Sequence, residues 1–204
     1  MIKCNRGVIM NKSEIFKNEL NYIKDESIKK SAKTLLELVP DYFFSIPASS
    51  TGKYHPLFSQ GEQGLVRHTK VALAIAEDIL SLSYTNNEFT DREKDLLIVA
   101  ILFHDSHKLG NPEEKYTRFD HPILAADFIK NNKDKTTFDD NDINIIYQSI
   151  AAHMGEWNTS NYSNVTLPKP SNKYEFFVHM CDFLSSRKYL NVNFDTDNNI
   201  SDKY

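Results

Sequence analysis

The chain has 204 residues, 40% hydrophobic and 25% charged, with a formal net charge of -4 and a pI near 6.0. That length suits one domain with a sizeable core, and the slight acidity argues against a broad electrostatic grip on duplex nucleic acid while leaving room for a small phosphate-bearing substrate held through a metal. No apolar run approaches the ~20 residues of a bilayer-spanning helix, no signal peptide is visible, and Cys4 and Cys181 lie far apart, so the expectation is a reduced cytoplasmic protein with no disulfide and no membrane partner.

Residues 1–12 read as an unstructured lead, and a second methionine, Met10, stands just before a helix start at Lys12-Ser13-Glu14. This suggests translation from Met10. Ser13 to Val39 is helical in pattern, with Ile15, Phe16, Leu20 and Ile23 in one stripe and Ile28, Ala32, Leu35, Leu36 and Val39 in a second. Asp25 is placed to cap the second segment, and Pro40 ends it. Pro47 to Gly64 is a long irregular stretch carrying Lys53 and His55, both able to reach whatever site follows.

Gly64 opens a helix to about Leu82 whose inward face is Leu65, Ala72, Ile75, Ala76 and Ile79. His68 lies near that face, after Arg67. Thr90-Asp91-Arg92-Glu93 has the form of a capping box. The helix it starts carries the apolar run Leu96 to Phe103, which stops at His104-Asp105 and is followed by His107, Lys108 and Gly110. An imidazole and a carboxylate at the end of an apolar helix are costly unless something satisfies them, and a divalent cation satisfies both.

Asn111 to Phe119 is a polar loop containing Arg118, and Asp120-His121-Pro122 begins another helix. A linker from Asn131 to Asn141 precedes a helix from Asp142 to Ala152, which stops at His153-Met154-Gly155. Trp157 follows, suited either to stacking on a base or to filling the rim of the core. Ser171 is the expected cap of a last helix to about Leu190. Within it Cys181 faces the core, Asp182 is a carboxylate on an otherwise apolar helix, and His179 lies one turn earlier. Residues 13–190 thus form one helical domain, and the Asn/Asp-rich residues 191–204 read as a flexible tail. There is no strand-like alternation, internal repeat or glycine-rich phosphate loop, so the fold class is all-α.

Six side chains stand at or near the ends of different predicted helices: His68, His104, Asp105, His121, His153 and Asp182. Imidazole with carboxylate suits Mn, Fe, Co, Ni or Zn and tolerates Mg, and the absence of a Cys ligand speaks against a thiolate zinc site. The order H…HD…H…H…D resembles the HD superfamily of metal-dependent phosphohydrolases, over roughly Pro47 to Tyr189. The resemblance implies a single helical bundle with the metal site at converging helix ends. It implies one or two divalent ions, with His68, His104, Asp105 and Asp182 as ligands of the first and His121 and His153 serving a second metal or the substrate. It further implies that water activated by metal attacks a phosphoester, with Asp105 shared between ions and Lys108, His121 and His153 stabilising charge.

A finer resemblance, through Pro47-Ala48-Ser49, His55, Gly64 to Thr69 and Pro168-Lys169-Pro170, is to the HD domains of bacterial three-prime-to-five-prime exoribonucleases and of a class of plasmid relaxases. His107 departs from the usual glycine of HDxGK, and His153-Met154 stands where many relatives have two histidines, with His55 or His179 as possible replacements. Lys53, His55, Arg67 and His179 are the expected substrate contacts, with Arg118 a weaker one. The expected substrate is a nucleotide or short single-stranded nucleic acid, with phosphodiesterase or nuclease activity ahead of nucleotidase or dNTP hydrolysis. The competing class is a degenerate HD domain that senses a nucleotide or binds a partner without catalysis.

Overall fold

The structure is a computed structural model that describes residues 11–53 and 55–201. Readings that concern Cys4 and the start at Met1 or Met10 lie outside the described residues. Among the described residues seven α-helices follow in order: α1 Lys12–Ile15, α2 Glu26–Leu38, α3 Gly64–Leu80, α4 Asp91–Phe103, α5 His121–Asn131, α6 Asp140–Ala151 and α7 Lys173–Ser185. Among the described residues there is no β-strand beyond two isolated bridges, and no helix is long and apolar enough to cross a membrane.

α4 organises the bundle. Every residue from Asp95 to Phe103 is buried, the mark of a helix surrounded on all sides, and α2, α3, α6 and α7 all pack on it. Its start is the expected capping box, Thr90 with Glu93. Arg92 in its first turn reaches Asp142 of α6 with two bonds of 2.9 and 2.5 Å. Asp142 also closes the capping box of α6 with Asp139, so one carboxylate fixes a helix start and a helix pair.

The two segments expected over residues 13–39 part at Lys24–Asp25, where the cap was expected, but the first is mostly not α-helical. Phe16, Leu20 and Ile23 are buried as the stripe requires, but they are carried by α1 and a 3-10 turn at Glu19–Tyr22. The break has a tertiary cause: the buried carboxylate of Asp95 accepts Lys24 N at 2.9 Å and Asp25 N at 2.7 Å, drawing those amides away from helical partners. Asp25 then caps α2 through Ser27 N and Ile28 N. Beneath it Phe16, Phe43 and Phe44 form an aromatic cluster, with centroids 5.0 to 6.4 Å apart. Burying one such ring fully contributes about 1.5–3 kcal/mol.

Two further boundaries differ from expectation. α7 ends at Ser185, short of Leu190, and its cap is Asn172, which accepts from Tyr174 N and Glu175 N; Ser171 instead binds the Glu175 carboxylate. The segment 191–201 is docked where a flexible tail was expected. Phe194 and Ile200 form a bridge, Asn198 Oδ1 accepts from Arg67 at 2.8 Å, and Asn199 Oδ1 accepts from Lys70 at 2.9 Å. Lys70 is 0% exposed, and a buried ammonium needs such acceptors.

Candidate metal centre

The ends of α4 and α6, the starts of α3 and α5, and the last turn of α7 meet at one place. His68, His104 and Asp182 form one group, and Asp105, His121 and His153 a second; within each, the three ligand atoms lie within 4.8 Å of one another. Asp105 joins the two. Its Oδ2 is 3.6 Å from His104 Nε2 and 3.9 Å from His68 Nε2, while its Oδ1 is 3.0 Å from His121 Nε2 and 3.7 Å from His153 Nε2. Asp182 Oδ1 is 3.0 Å from His68 Nε2 and 3.5 Å from His104 Nε2.

The imidazoles are oriented by a repeated local device. His104, His121 and His153 each place Nδ1 on the carbonyl three residues earlier, Ile101, Arg118 and Ile150, at 2.6 to 2.8 Å. Turns and helix ends leave such carbonyls without helical partners. A carbonyl only accepts, so Nδ1 carries the proton and Nε2 turns its lone pair inward. For His68 the partner is Ser185 Oγ at 3.2 Å, a hydroxyl already donating to Asp182 O at 2.8 Å. Ser185 is the residue that the sequence reading missed in this role; its place one turn after Asp182 was the available signal.

The buried atoms His68 Nε2, His104 Nε2, Asp105 Oδ1 and His121 Nε2 have no hydrogen-bond partner. Four inward imidazole nitrogens and two carboxylates, several of them orphaned, fit one or two divalent cations with nitrogen and oxygen ligands. The electrostatics agree. Burial alone would raise the pKa of Asp105, but the Lys108 ammonium, His104 and His121 outweigh it and hold the carboxyl well below its usual range. Asp182 is likewise held well below, burial being outweighed by His104 and His68. Burial pushes His153 down to about 3, helped by His104. Burial opposes a charge on His104 too, yet Asp105 and Asp182 push its pKa up; a proton and a metal would compete for that lone pair.

A family model, HD domain, matches residues 65–186, more than half of the chain. The chain belongs to the HD-domain family. No curated protein and no solved structure matches it. HD domains are typically metal-dependent hydrolases, and both histidine/aspartate groups of this one lie within the matched residues.

The other residues expected at the HD site divide. Lys108 joins it: its ammonium is bonded to Asp105 Oδ2. His55 adjoins it, with its ring 5.3 Å from that of His68 and its pKa pushed down to about 3 by burial and by His68. It lies beside the first group, belongs to neither, and its buried Nδ1 has no hydrogen-bond partner. His179 belongs to neither group, and its Nδ1 bonds His153 O at 2.7 Å. Lys53 is exposed on the loop.

Arg67 is a correction. Its guanidinium donates to Phe58 O, Gln60 O, Glu62 O and Asn198 Oδ1 at 2.5 to 2.9 Å, so it pins the long loop and the C-terminal segment to α3. Arg118 is also spent, on Asp120 and Glu114. His107 packs on Phe128, centroids 4.7 Å apart, and lies outside both groups. Cys181 is buried in the core as expected, where burial pushes its thiol up.

Proposed function

We propose that this HD domain is a metal-dependent phosphohydrolase that cleaves a phosphoester of a nucleotide or nucleic acid, with phosphodiesters its first substrate class. The observation that carries the reading is Asp105, whose two oxygens face two separate imidazole groups. His68, His104, Asp105 and Asp182 would hold one divalent cation, and Asp105, His121 and His153 a second. Cations bound there would supply an acidified water and positive charge on the phosphoryl oxygens.

The chain's own residues do the rest. The carbonyls of Ile101, Arg118 and Ile150 and the hydroxyl of Ser185 hold the four rings in one tautomer, so no reorganisation is needed when ligands bind. The Lys108 ammonium is a fixed positive charge at Asp105 and would meet a phosphoryl oxygen of a bound substrate. His55 meets the His68 ring edge to face from the loop side of the site. The completeness of the set favours catalysis over a degenerate binding role.

The test is a panel of cyclic nucleotides, nucleoside monophosphates, dNTPs and short single-stranded RNA and DNA, each assayed with Mn or Mg. Wild-type turnover of a phosphodiester that Asp105→Ala abolishes is the expected result. Inactivity of the wild-type protein across all substrates and metals would overturn it in favour of the binding role.

A further inference from the structure

The cluster is most exposed at its α7 ligand. Of the six candidate ligands, five have side chains no more than 4% exposed, while that of Asp182 keeps 20%. Next to this ligand lies an aromatic surface that the core does not use. Phe176, Met180 and Phe183, spaced four and three apart, form one stripe of α7, and Arg187 continues it just past the C-cap. Phe176 is 53% exposed and Met180 42%.

Trp157, itself 54% exposed, lies nearly parallel to Phe183, with centroids 5.8 Å apart and planes at 15°. The Arg187 guanidinium sits 3.8 Å from the Phe183 centroid and is fixed there by bonds from Nε to Phe183 O and from Nη2 to Ser186 Oγ. The ring of His179 lies 6.0 Å from Phe183 and 6.5 Å from Trp157. Its Nδ1 contact to His153 O joins this surface to the second group. A flat indole with much of its surface in water, backed by a second ring and a cation, matches a planar base that carries a phosphate.

We propose that Trp157, backed by Phe183 with Arg187 held on that second ring, is a shelf on which a nucleobase stacks while its phosphate enters the cluster past Asp182. The second half rests on the phosphohydrolase reading; the stacking is tested separately. Small net charge and a shelf for few bases favour a mononucleotide or a short single strand over a duplex.

Trp157 is the only tryptophan in the sequence, so the full chain reports on its own shelf. Its indole fluorescence is titrated with AMP, hexathymidylate and ribose monophosphate. Saturable quenching by the two base-bearing probes and none by ribose monophosphate is expected. Equilibrium dialysis of AMP should show roughly tenfold weaker binding for Trp157→Ala and binding within about threefold of wild type for Trp157→Phe, which keeps a ring. Tighter binding of hexathymidylate than of AMP assigns the shelf to single strands, and equal binding to mononucleotides; either supports it.

Absence of quenching, or equal quenching by ribose monophosphate, overturns the shelf. So does a wild-type dimer in sedimentation that Trp157→Ala dissociates without a base-dependent signal, since a second copy would then cover the stripe. Base-dependent quenching without hydrolysis of any phosphoester would keep the shelf and remove the phosphohydrolase reading. Hydrolysis without base-dependent quenching would do the reverse.

Discussion

Replacing Asp105 by Asn tests whether one carboxylate serves two cation sites. Its oxygens lie 3.0 to 3.9 Å from four imidazole nitrogens, two on each side. Asp105→Asn therefore removes anionic charge from both groups, whereas His68→Ala and His121→Ala each disturb one. An ion present at a hundredfold excess over its Kd stabilises the fold by about 2.7 kcal/mol, so two independent ions add about 5.4 kcal/mol. At about 2–4 °C per kcal/mol for a chain of this size, Mn should raise the wild-type Tm by about 11–22 °C over its value in chelator. His68→Ala and His121→Ala should each keep about half of that gain, and Asp105→Asn little of it. In chelator Asp105→Asn starts lower, because Lys108 loses the carboxylate it is buried against, a loss of about 3–5 kcal/mol. The metal-induced change in Tm is thus the quantity to compare, by calorimetry, alongside metal content after desalting. Two ions retained per Asp105→Asn chain, with the full gain in Tm, would refute the shared carboxylate.

Gly155→Ala places a Cβ 2.1 to 2.6 Å from three atoms of the His179 ring, at a φ of +59°. Backbone strain alone costs about 1–2 kcal/mol, so a Tm loss of at least about 2–8 °C is expected; an unchanged Tm would show that neither the positive φ nor the His179 ring constrains this turn. Arg67→Lys removes the fork that holds Phe58, Gln60 and Glu62 and should destabilise by about 2 kcal/mol. Limited proteolysis should then cut within residues 51–63; an intact loop with only a raised KM would return Arg67 to the substrate. Burial pushes His107 down to about 4, so below its ordinary pKa of about 6.5 the unfolded chain takes up a proton that the folded chain refuses. Its contribution to stability is therefore lost as pH falls from about 6.5 toward 4, by at most about 1.4 kcal/mol per pH unit. His107→Phe should flatten the slope of urea-unfolding free energy over that window by this amount; an unaltered slope would show that His107 is not the group responsible.

Much of this site was legible along the chain because its signals are local. The capping box at Thr90, the apolar run into His104-Asp105, the Pro122 start after His121 and the stop at Gly155 each depend on residues within one helical turn. These fixed where helices start and stop, and therefore which imidazoles and carboxylates lie near their ends. The same local logic misplaced Arg67, since a charged residue beside a candidate ligand gives no hint of the three loop carbonyls that consume it.

Sequence alone determined the all-helical class, the six ligand types and the family pattern. Only the tertiary structure decided that the Asp105 oxygens divide between two groups, that His55 and His179 stay outside the second, that Asp95 holds the junction between the first two segments, and that residues 191–201 lie against α3. Helical periodicity and capping act over three or four residues, so they are written in the order of the side chains. Which lone pair faces which depends on contacts between residues as far apart as 68 and 182, and those are set by how whole helices pack, which no local pattern encodes.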